Sequence, residues 1–281
     1  MIDSHAHLHM DPLSSDIEGV MKRFVDKGGD KILSCGVDIE TANREIEISM
    51  EYEQVYSAVG FHPELVIPGC EDYKQCINEK WIDENISRIE NIVDNHKKVI
   101  AVGEIGLDYY WVKSNNCEKP ESIYQLQQYL LKKQLDLAMK KKLPVILHCR
   151  DVNSDKHCES DILKVISCQC NSSVKGVFHS YTGSLSYLEE ILNLGFYVSF
   201  NPIVMFKNAD NVRQILDKVP NDRILLETDA PLLVPSEYRE NGTSEPYMVD
   251  AVARYIAKKK KLSTNRLWEI VDNNFNTLFK V

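Results

Sequence analysis

The segment Val99-Ile-Ala-Val-Gly-Glu104-Ile-Gly-Leu-Asp-Tyr-Tyr110 is an apolar run that ends on a carboxylate, Glu104. A short apolar run next to glycine reads as a buried strand, and a carboxylate at its end is expensive unless a cation or donor meets it. The same order of residues recurs further along. Val145-Ile-Leu-His148-Cys-Arg-Asp151 and Val177-Phe-His179-Ser-Tyr-Thr-Gly183 each run from apolar strand to histidine to polar loop. Ile224-Leu-Leu-Glu-Thr-Asp229-Ala-Pro231 closes the series on an acid, and Ile2-Asp-Ser-His5-Ala-His7-Leu-His9 begins it.

Between these strands lie longer amphipathic stretches. Candidate strands fall near 2–6, 31–37, 55–60, 99–104, 144–148, 175–179, 195–200 and 223–228. Helical patterns fall near 14–28, 40–53, 78–96, 121–142, 156–167, 184–194 and 208–218, with two more at 246–258 and 263–280. Strands alternating with helices give βαβ units and a parallel sheet. Eight strands in 281 residues predict closure into a (β/α)8 TIM barrel, expected as a single domain over 1–281 because no repeat or linker divides the chain. Long connections at 61–77, 106–120 and 230–247 would then lie on the C-terminal face, where such barrels build their sites.

Composition sets the class. With 43% apolar and 27% charged residues the chain reads as an ordinary globular protein. No apolar stretch approaches the ~20 residues a bilayer requires, so no membrane role is expected. No basic and apolar leader precedes His5, which predicts a cytoplasmic protein. The eight cysteines (35, 70, 76, 117, 149, 158, 168 and 170) are scattered and expected reduced. Cys149 reads as a small packing residue, and Cys168–Cys170 lacks the second pair that a structural zinc site needs. The net charge of −9 argues against a broad nucleic-acid surface, but not against an enzyme that meets phosphate through bound cations. The lysine runs 140–142 and 258–261 suit helix C-termini, and nothing points to a protein partner.

Six of the eight histidines (His5, His7, His9, His62, His148 and His179) lie in or just after candidate strands. As mere packing, six imidazoles at one barrel mouth would be costly. Residues i and i+2 of a strand share a face, so His5 and His7 both point inward and can serve one divalent ion. Glu104 offers two oxygens and can bridge two ions. Asp229 is placed to bind one ion and take a proton from the attacking water, and Glu227 is read either as a structural acid or as a carboxylate behind the ligands. The expected metal ligands are His5, His7, Glu104, His148, His179 and Asp229, with Glu104 and Asp229 catalytic. Such mixed ligands suit two divalent ions (Mg, Mn or Zn), and a pair roughly 4 Å apart would activate water and stabilise charge on a phosphoryl oxygen.

With these residues in place, the sequence resembles the TatD family of metal-dependent deoxyribonucleases among the amidohydrolase-like barrels. The matching segments are Asp3-Ser-His-Ala-His-Leu8, Gly60-Phe-His-Pro63, Gly103-Glu-Ile-Gly-Leu-Asp-Tyr109, His148-Cys-Arg-Asp151, His179-Ser-Tyr-Thr-Gly183 and Glu227-Thr-Asp-Ala-Pro231. The resemblance implies cleavage of DNA phosphodiesters. It implies one ion on His5, His7, Glu104 and Asp229 and a second on Glu104, His148 and His179. It further implies His62 near the substrate phosphate, and Arg150 and Asp151 beside a ligand they orient. His9 departs from the acidic or small polar residue expected there, which would alter access to the site. The 111–120 insert is idiosyncratic, and Thr243-Ser244 stand where an Arg-Asn is usual.

Two rivals share these residues. One is an esterase or deacylase on the same barrel, acting on a lactone, an amide or a D-aminoacyl-tRNA, since fold does not fix substrate. Related barrels can use a carboxylated lysine as bridge; Glu104 in that place favours the nuclease branch. The other is a binding protein that has kept its ligands, which a complete set argues against.

Overall fold

The protein, described by a computed structural model, is defined over residues 1–68, 77–151, 157–170 and 174–281, excepting the side chains of His157 and Cys170. Gly69, Cys70 and Cys76 of the expected 61–77 connection lie outside the described residues.

Eight parallel strands run in sequence order: β1 (Ile2–Ala6), β2 (Lys31–Cys35), β3 (Val55–Val59), β4 (Val99–Asp108), β5 (Val145–Arg150), β6 (Gly176–Phe178), β7 (Tyr197–Phe200) and β8 (Ile224–Leu226). The ring closes where Ala6 bridges Ala230. There the His7 amide donates to the Ala230 carbonyl at 2.7 Å and the Asp229 amide to that of His5 at 3.0 Å. This is the (β/α)8 barrel expected from the alternation. Its strands are covered on both faces, which is why stretches such as Val99–Val102 and Val145–Leu147 read as unbroken apolar runs.

The helices are α1 (Ile17–Asp26), α2 (Ile39–Glu51), α3 (Glu79–Asn95), α4 (Tyr109–Ser114), α5 (Pro120–Lys141), α6 (His157–Cys170), α7 (Leu185–Asn193), α8 (Asp210–Lys218), α9 (Val249–Lys260) and α10 (Thr264–Phe279). One apolar cluster joins Ile2, Leu33, Ile100, Ile146, Val177 and Leu225 from six strands to Phe275, Leu278 and Phe279 of α10. A larger cluster fills the space between β4–β8 and α5–α9. Each such side chain contributes about 1.5–3 kcal/mol when fully buried. No helix among the described residues is long and apolar enough to cross a membrane.

One element differs from the sequence expectation in a way that matters. The sequence pattern ends the fourth strand at Glu104, with a long connection from 106 to 120; in the structure β4 continues to Asp108 and α4 follows at once. Gly106 and Asp108 look like loop residues but sit in register with His148 and Arg150 of β5. Gly106 has φ +148°, and a Cβ there would lie 2.0 Å from the His148 carbonyl oxygen, so only glycine lets the two strands approach. The extension carries Asp108 to the same end of the barrel as Glu104.

Two glutamines of α5 reach inward to hold the loops at that end. Gln134 accepts from the Phe61 amide at 2.7 Å and donates to the Phe61 carbonyl at 3.0 Å, fixing the residue before His62. Gln127 accepts from the Asp108 amide at 3.1 Å and donates to the carbonyls of Pro63 and Asp108 at 3.1 and 3.2 Å. Both are fully buried. Replacing Gln134 by Leu would strand the buried Phe61 N–H and C=O, at about 1–3 kcal/mol for each group. Calorimetry of Gln134→Leu should show Tm lower by roughly 4–24 °C for a chain of this size; an unchanged Tm would mean the backbone of Phe61 finds other partners.

Candidate active site

β1 ends at Ala6, and hydrogen bonding to Ala230 keeps the chain extended for one more residue, so His5 and His7 present their rings together. Their Nε2 atoms lie 3.1 Å apart. Glu104 Oε2 is 3.3 Å from His5 Nε2 and 3.6 Å from His7 Nε2. Asp229 Oδ1 stands 3.7 and 3.4 Å from the same nitrogens. Asp229 itself has left-handed backbone (φ 60°), unusual without glycine and of the kind that gathers at functional sites.

The other oxygen of Glu104 faces a second set. Oε1 is 2.7 Å from His148 Nδ1, 2.7 Å from His179 Nε2 and 3.5 Å from His62 Nε2. His179 Nε2 and His148 Nδ1 are 3.4 Å apart, and the rings of His5 and His179 stack at 4.0 Å. Grouped by reach alone, the donor atoms among the described residues form three overlapping trios: His5, His7 and Asp229; His5, Glu104 and His179; and His62, Glu104 and His148, each within 4.8 Å. The structure thus brings together all six expected ligands, and sets His62 3.5 Å from Glu104, farther than His148 and His179 at 2.7 Å.

The donor set fits divalent ions. Atoms bound about 2.1 Å from one ion lie roughly 3.0–3.4 Å from one another in octahedral or tetrahedral arrangements, close to the 3.1–3.7 Å seen around His5, His7, Glu104 and Asp229. On His7 and His148 the opposite ring nitrogen has a partner elsewhere, so the inward nitrogen is left for the site. His7 Nδ1 meets the Cys35 carbonyl at 2.9 Å, and His148 Nε2 meets Asp108 Oδ2 at 2.9 Å. His179 Nδ1 is 3.4 Å from Glu227 Oε1, a charge contact rather than a hydrogen bond. Glu227 is fully buried, accepts from the Ser180 amide at 2.7 Å and from the Ser199 hydroxyl, and so stands behind His179.

Without a cation the carboxylates draw protons onto the rings. Burial disfavours charge on His7, but the hydrogen bond it donates to Asp229 and the charge of Glu104 outweigh it and push its pKa up to about 9. His148 is likewise lifted to about 9 against burial by Asp108 and Glu104. Burial and the neighbouring His179 charge lower His5. Burial opposes charge on Glu104 too, yet His179, His62 and His5 hold it well below the usual carboxylate range.

Other expected residues stand differently. His9 does not join the cluster: past β1 the chain turns, and its Nδ1 lies 2.7 Å from Glu45 Oε1 on α2. Five imidazoles converge, not six. Arg150 stacks on Tyr110 and Trp111, its Cζ 4.2 and 5.4 Å from the ring centres. Asp151 accepts from the Cys158 amide at 2.9 Å. Cys149 packs against Cys158 with sulfurs 3.4 Å apart. Sequence reasoning missed Asp108, which grips His148 with one oxygen and caps α4 with the other, accepting from the Trp111 amide at 2.8 Å. Its signal was the period of two from Glu104 through Gly106 to Asp108. The cluster floors a cavity of about 600 Å³, rimmed by Met10, Val37, Trp111, Arg150, Ile203 and Leu232.

The family model for TatD related DNases matches residues 2–280. The chain belongs to the TatD family. This TatD protein is 33% identical, over all of its length and 99% of the other's, to the uncharacterised metal-dependent hydrolase YabD of Bacillus subtilis. It is 27% identical, over the whole of both chains, to a Pantoea vagans protein named as the 3'-5' ssDNA/RNA exonuclease TatD. Among solved structures it resembles the TatD homolog YjjV of Escherichia coli, with TM-score 0.81 and 27% identity over 100% of this chain and 98% of that one.

Asp108 offers a direct check on the geometry of this TatD protein. Asp108→Asn removes the charged acceptor from His148, so the His148 pKa should fall from about 9 toward its ordinary 6.5 in ion-free protein. An NMR titration reads this, and an unmoved His148 would show that Glu104 alone holds the ring charged.

Proposed function

We propose that the chain is a metal-dependent hydrolase that cleaves DNA phosphodiester bonds. The observation that carries this reading is Glu104, whose two oxygens each face a separate set of imidazoles. One ion would be held by His5, His7, Glu104 and Asp229, the other by Glu104, His148 and His179. Bound there, divalent ions would lower the pKa of a water and neutralise charge developing on the ester oxygens. The relatives named as metal-dependent hydrolases and as a nuclease support the same reading.

The chain's own groups supply the rest. Burial would raise the Asp229 pKa, but hydrogen bonding to His7 and the nearby His5 and His179 charges hold it at about 2. It is therefore a carboxylate throughout the working range and can accept the proton of the attacking water. His62, its Nδ1 taking the Glu64 amide at 3.3 Å, turns Nε2 toward the site and can donate to a substrate phosphate. Arg150 adds a cation at the rim. In a chain of net charge −9, these groups and the bound cations would provide the local attraction for a polyanion.

The reading is tested by a metal-resolved screen of purified protein, with and without chelator. End-labelled single-stranded DNA would be compared with D-aminoacyl-tRNA and simple lactones. Cleavage of DNA that chelator abolishes and one divalent ion restores is the expected result; preferential cleavage of the esters would move the assignment to a deacylase or lactonase. Asp229→Ala and His148→Ala should each lower kcat at least about 100-fold while far-UV circular dichroism is unchanged, and undiminished turnover in either would refute the assigned roles.

A pH dependence follows with a definite sign. His7 and His148 have pKa values raised from 6.5 to about 9, so in stripped protein their stabilising protonation is complete below pH 6.5 and is lost as pH rises through 9. Tm of the stripped protein should therefore fall across that window. Ions compete with those protons, so loading at pH 7 should release protons, measurable by calorimetry in buffers of different ionisation enthalpy. Loading without proton release would contradict the proposed ligands.

A further inference from the structure

A second cavity, of about 490 Å³, lies at the end of the barrel opposite the histidine cluster. It opens among the segments that lead into β5, β6, β7 and β8, beside the C-terminal ends of α5 and α10. Pro144, Lys175 and Arg223 each stand one residue before a strand, and Tyr197 begins one. The volume falls within the range of small-molecule sites, roughly 300–1,000 Å³.

The charge of this cavity is one-sided. Lys142, Lys175, Arg223 and Lys280 line it, and among the described residues no carboxylate side chain does, in a chain of net charge −9. Other lysines at helix ends are satisfied: Lys140 and Lys141 meet Glu90 at 2.6 and 2.7 Å, and Lys260 donates to the Val219 carbonyl at 2.7 Å. Lys142 and Lys280 follow α5 and α10 in left-handed backbone, and among the described residues their ammonium groups meet neither a carboxylate nor a carbonyl. Lys175 Nζ donates to the Leu194 carbonyl at 3.2 Å, beside Gly195, where a Cβ would stand 2.8 Å from it. Arg223 gives one N–H to the Asp222 carbonyl, lies 3.3 Å from the Asp222 carboxylate and sits over the Tyr197 ring. Between these cations the wall is apolar, made by Leu143, Pro144, Val174 and Leu278.

We infer that this cavity is a binding site for a phosphate monoester carried on an apolar ring. A dianion draws on several cations at once, and the planar Arg223 still has N–H donors to offer an oxyanion. The carbonyl ends of α5 and α10 would repel an anion, and the two lysines that follow them offset that field. The apolar wall stabilises the ring by taking it out of water, at about 25 cal/mol for each Å² covered. A bare anion leaves that wall unused, and a neutral ring leaves the cations unused. The site shares no residue with the histidine cluster and depends on neither bound ions nor the phosphodiesterase reading.

Titration calorimetry tests this with the full chain, stripped by chelator and then dialysed, at about pH 8, where phenyl phosphate is a dianion. Wild type should bind phenyl phosphate, and inorganic phosphate at least about tenfold more weakly, because it leaves the wall bare. Lys142→Gln combined with Lys280→Gln, at two exposed positions, should keep the wild-type circular dichroism and weaken phenyl phosphate about tenfold. Binding to wild type should also fall as salt rises. His148→Ala should bind like wild type, which sets the ester apart from the histidine cluster. Three outcomes would each overturn the proposal: no binding of phenyl phosphate by wild type, equal binding of inorganic phosphate, or binding lost in His148→Ala but kept in the lysine double variant.

Discussion

A buried carboxylate with two faces organises this molecule. Glu104 is almost wholly enclosed, and it survives as a charge only because each of its oxygens looks onto imidazole nitrogens from a different part of the barrel. An unpaired carboxylate in that position would cost several kcal/mol. The strands that deliver His5, His148 and His179 have to arrive in a fixed register for the charge to be met. Barrel closure and site assembly are therefore one event: the seam between β1 and the segment after β8 that sets Asp229 against His5 also shuts the sheet.

Around this centre the protein invests in orientation. His7, His148 and His179 each have their outer nitrogen engaged or faced by a carbonyl or carboxylate, which fixes which nitrogen points inward and keeps the ring from flipping. Aspartate serves twice in this scheme. Asp108 joins a ring to a helix, and Asp3 receives the Thr228 amide and hydroxyl just before Asp229, locking the last functional segment against the first strand.

Much of this was legible in the chain. Apolar runs ending in Glu104, His148 and His179, with the His5–His7 alternation at the start, disclosed both the strand alternation and the residues that meet at the mouth, because a parallel barrel buries both strand faces and leaves only their ends for chemistry. What stayed hidden has physical reasons. The length of β4 was obscured because Gly106 and Asp108 carry turn-like chemistry, and only the neighbouring strand shows why glycine is needed. His9 follows the alternation of His5 and His7 on paper, but the strand has ended by then and Glu45 claims its ring. The buried Gln127 and Gln134 sit among apolar residues of α5 with no local pattern to distinguish them from solvent-facing glutamines. Gln127 holds the backbone at the end of β4, 19 residues away, and Gln134 a loop backbone 73 residues away in sequence.

Those two amides carry a consequence for how such a barrel can diverge. The loop after β3 and the end of β4 do not stand alone; their main chains are clasped by side chains of a helix in the outer ring. A transplant of these loops into another barrel would lose its shape unless the clasping helix travelled with them. The natural unit of exchange here is a loop together with its outer buttress, and drift in α5 is restrained by chemistry that its own surface never touches.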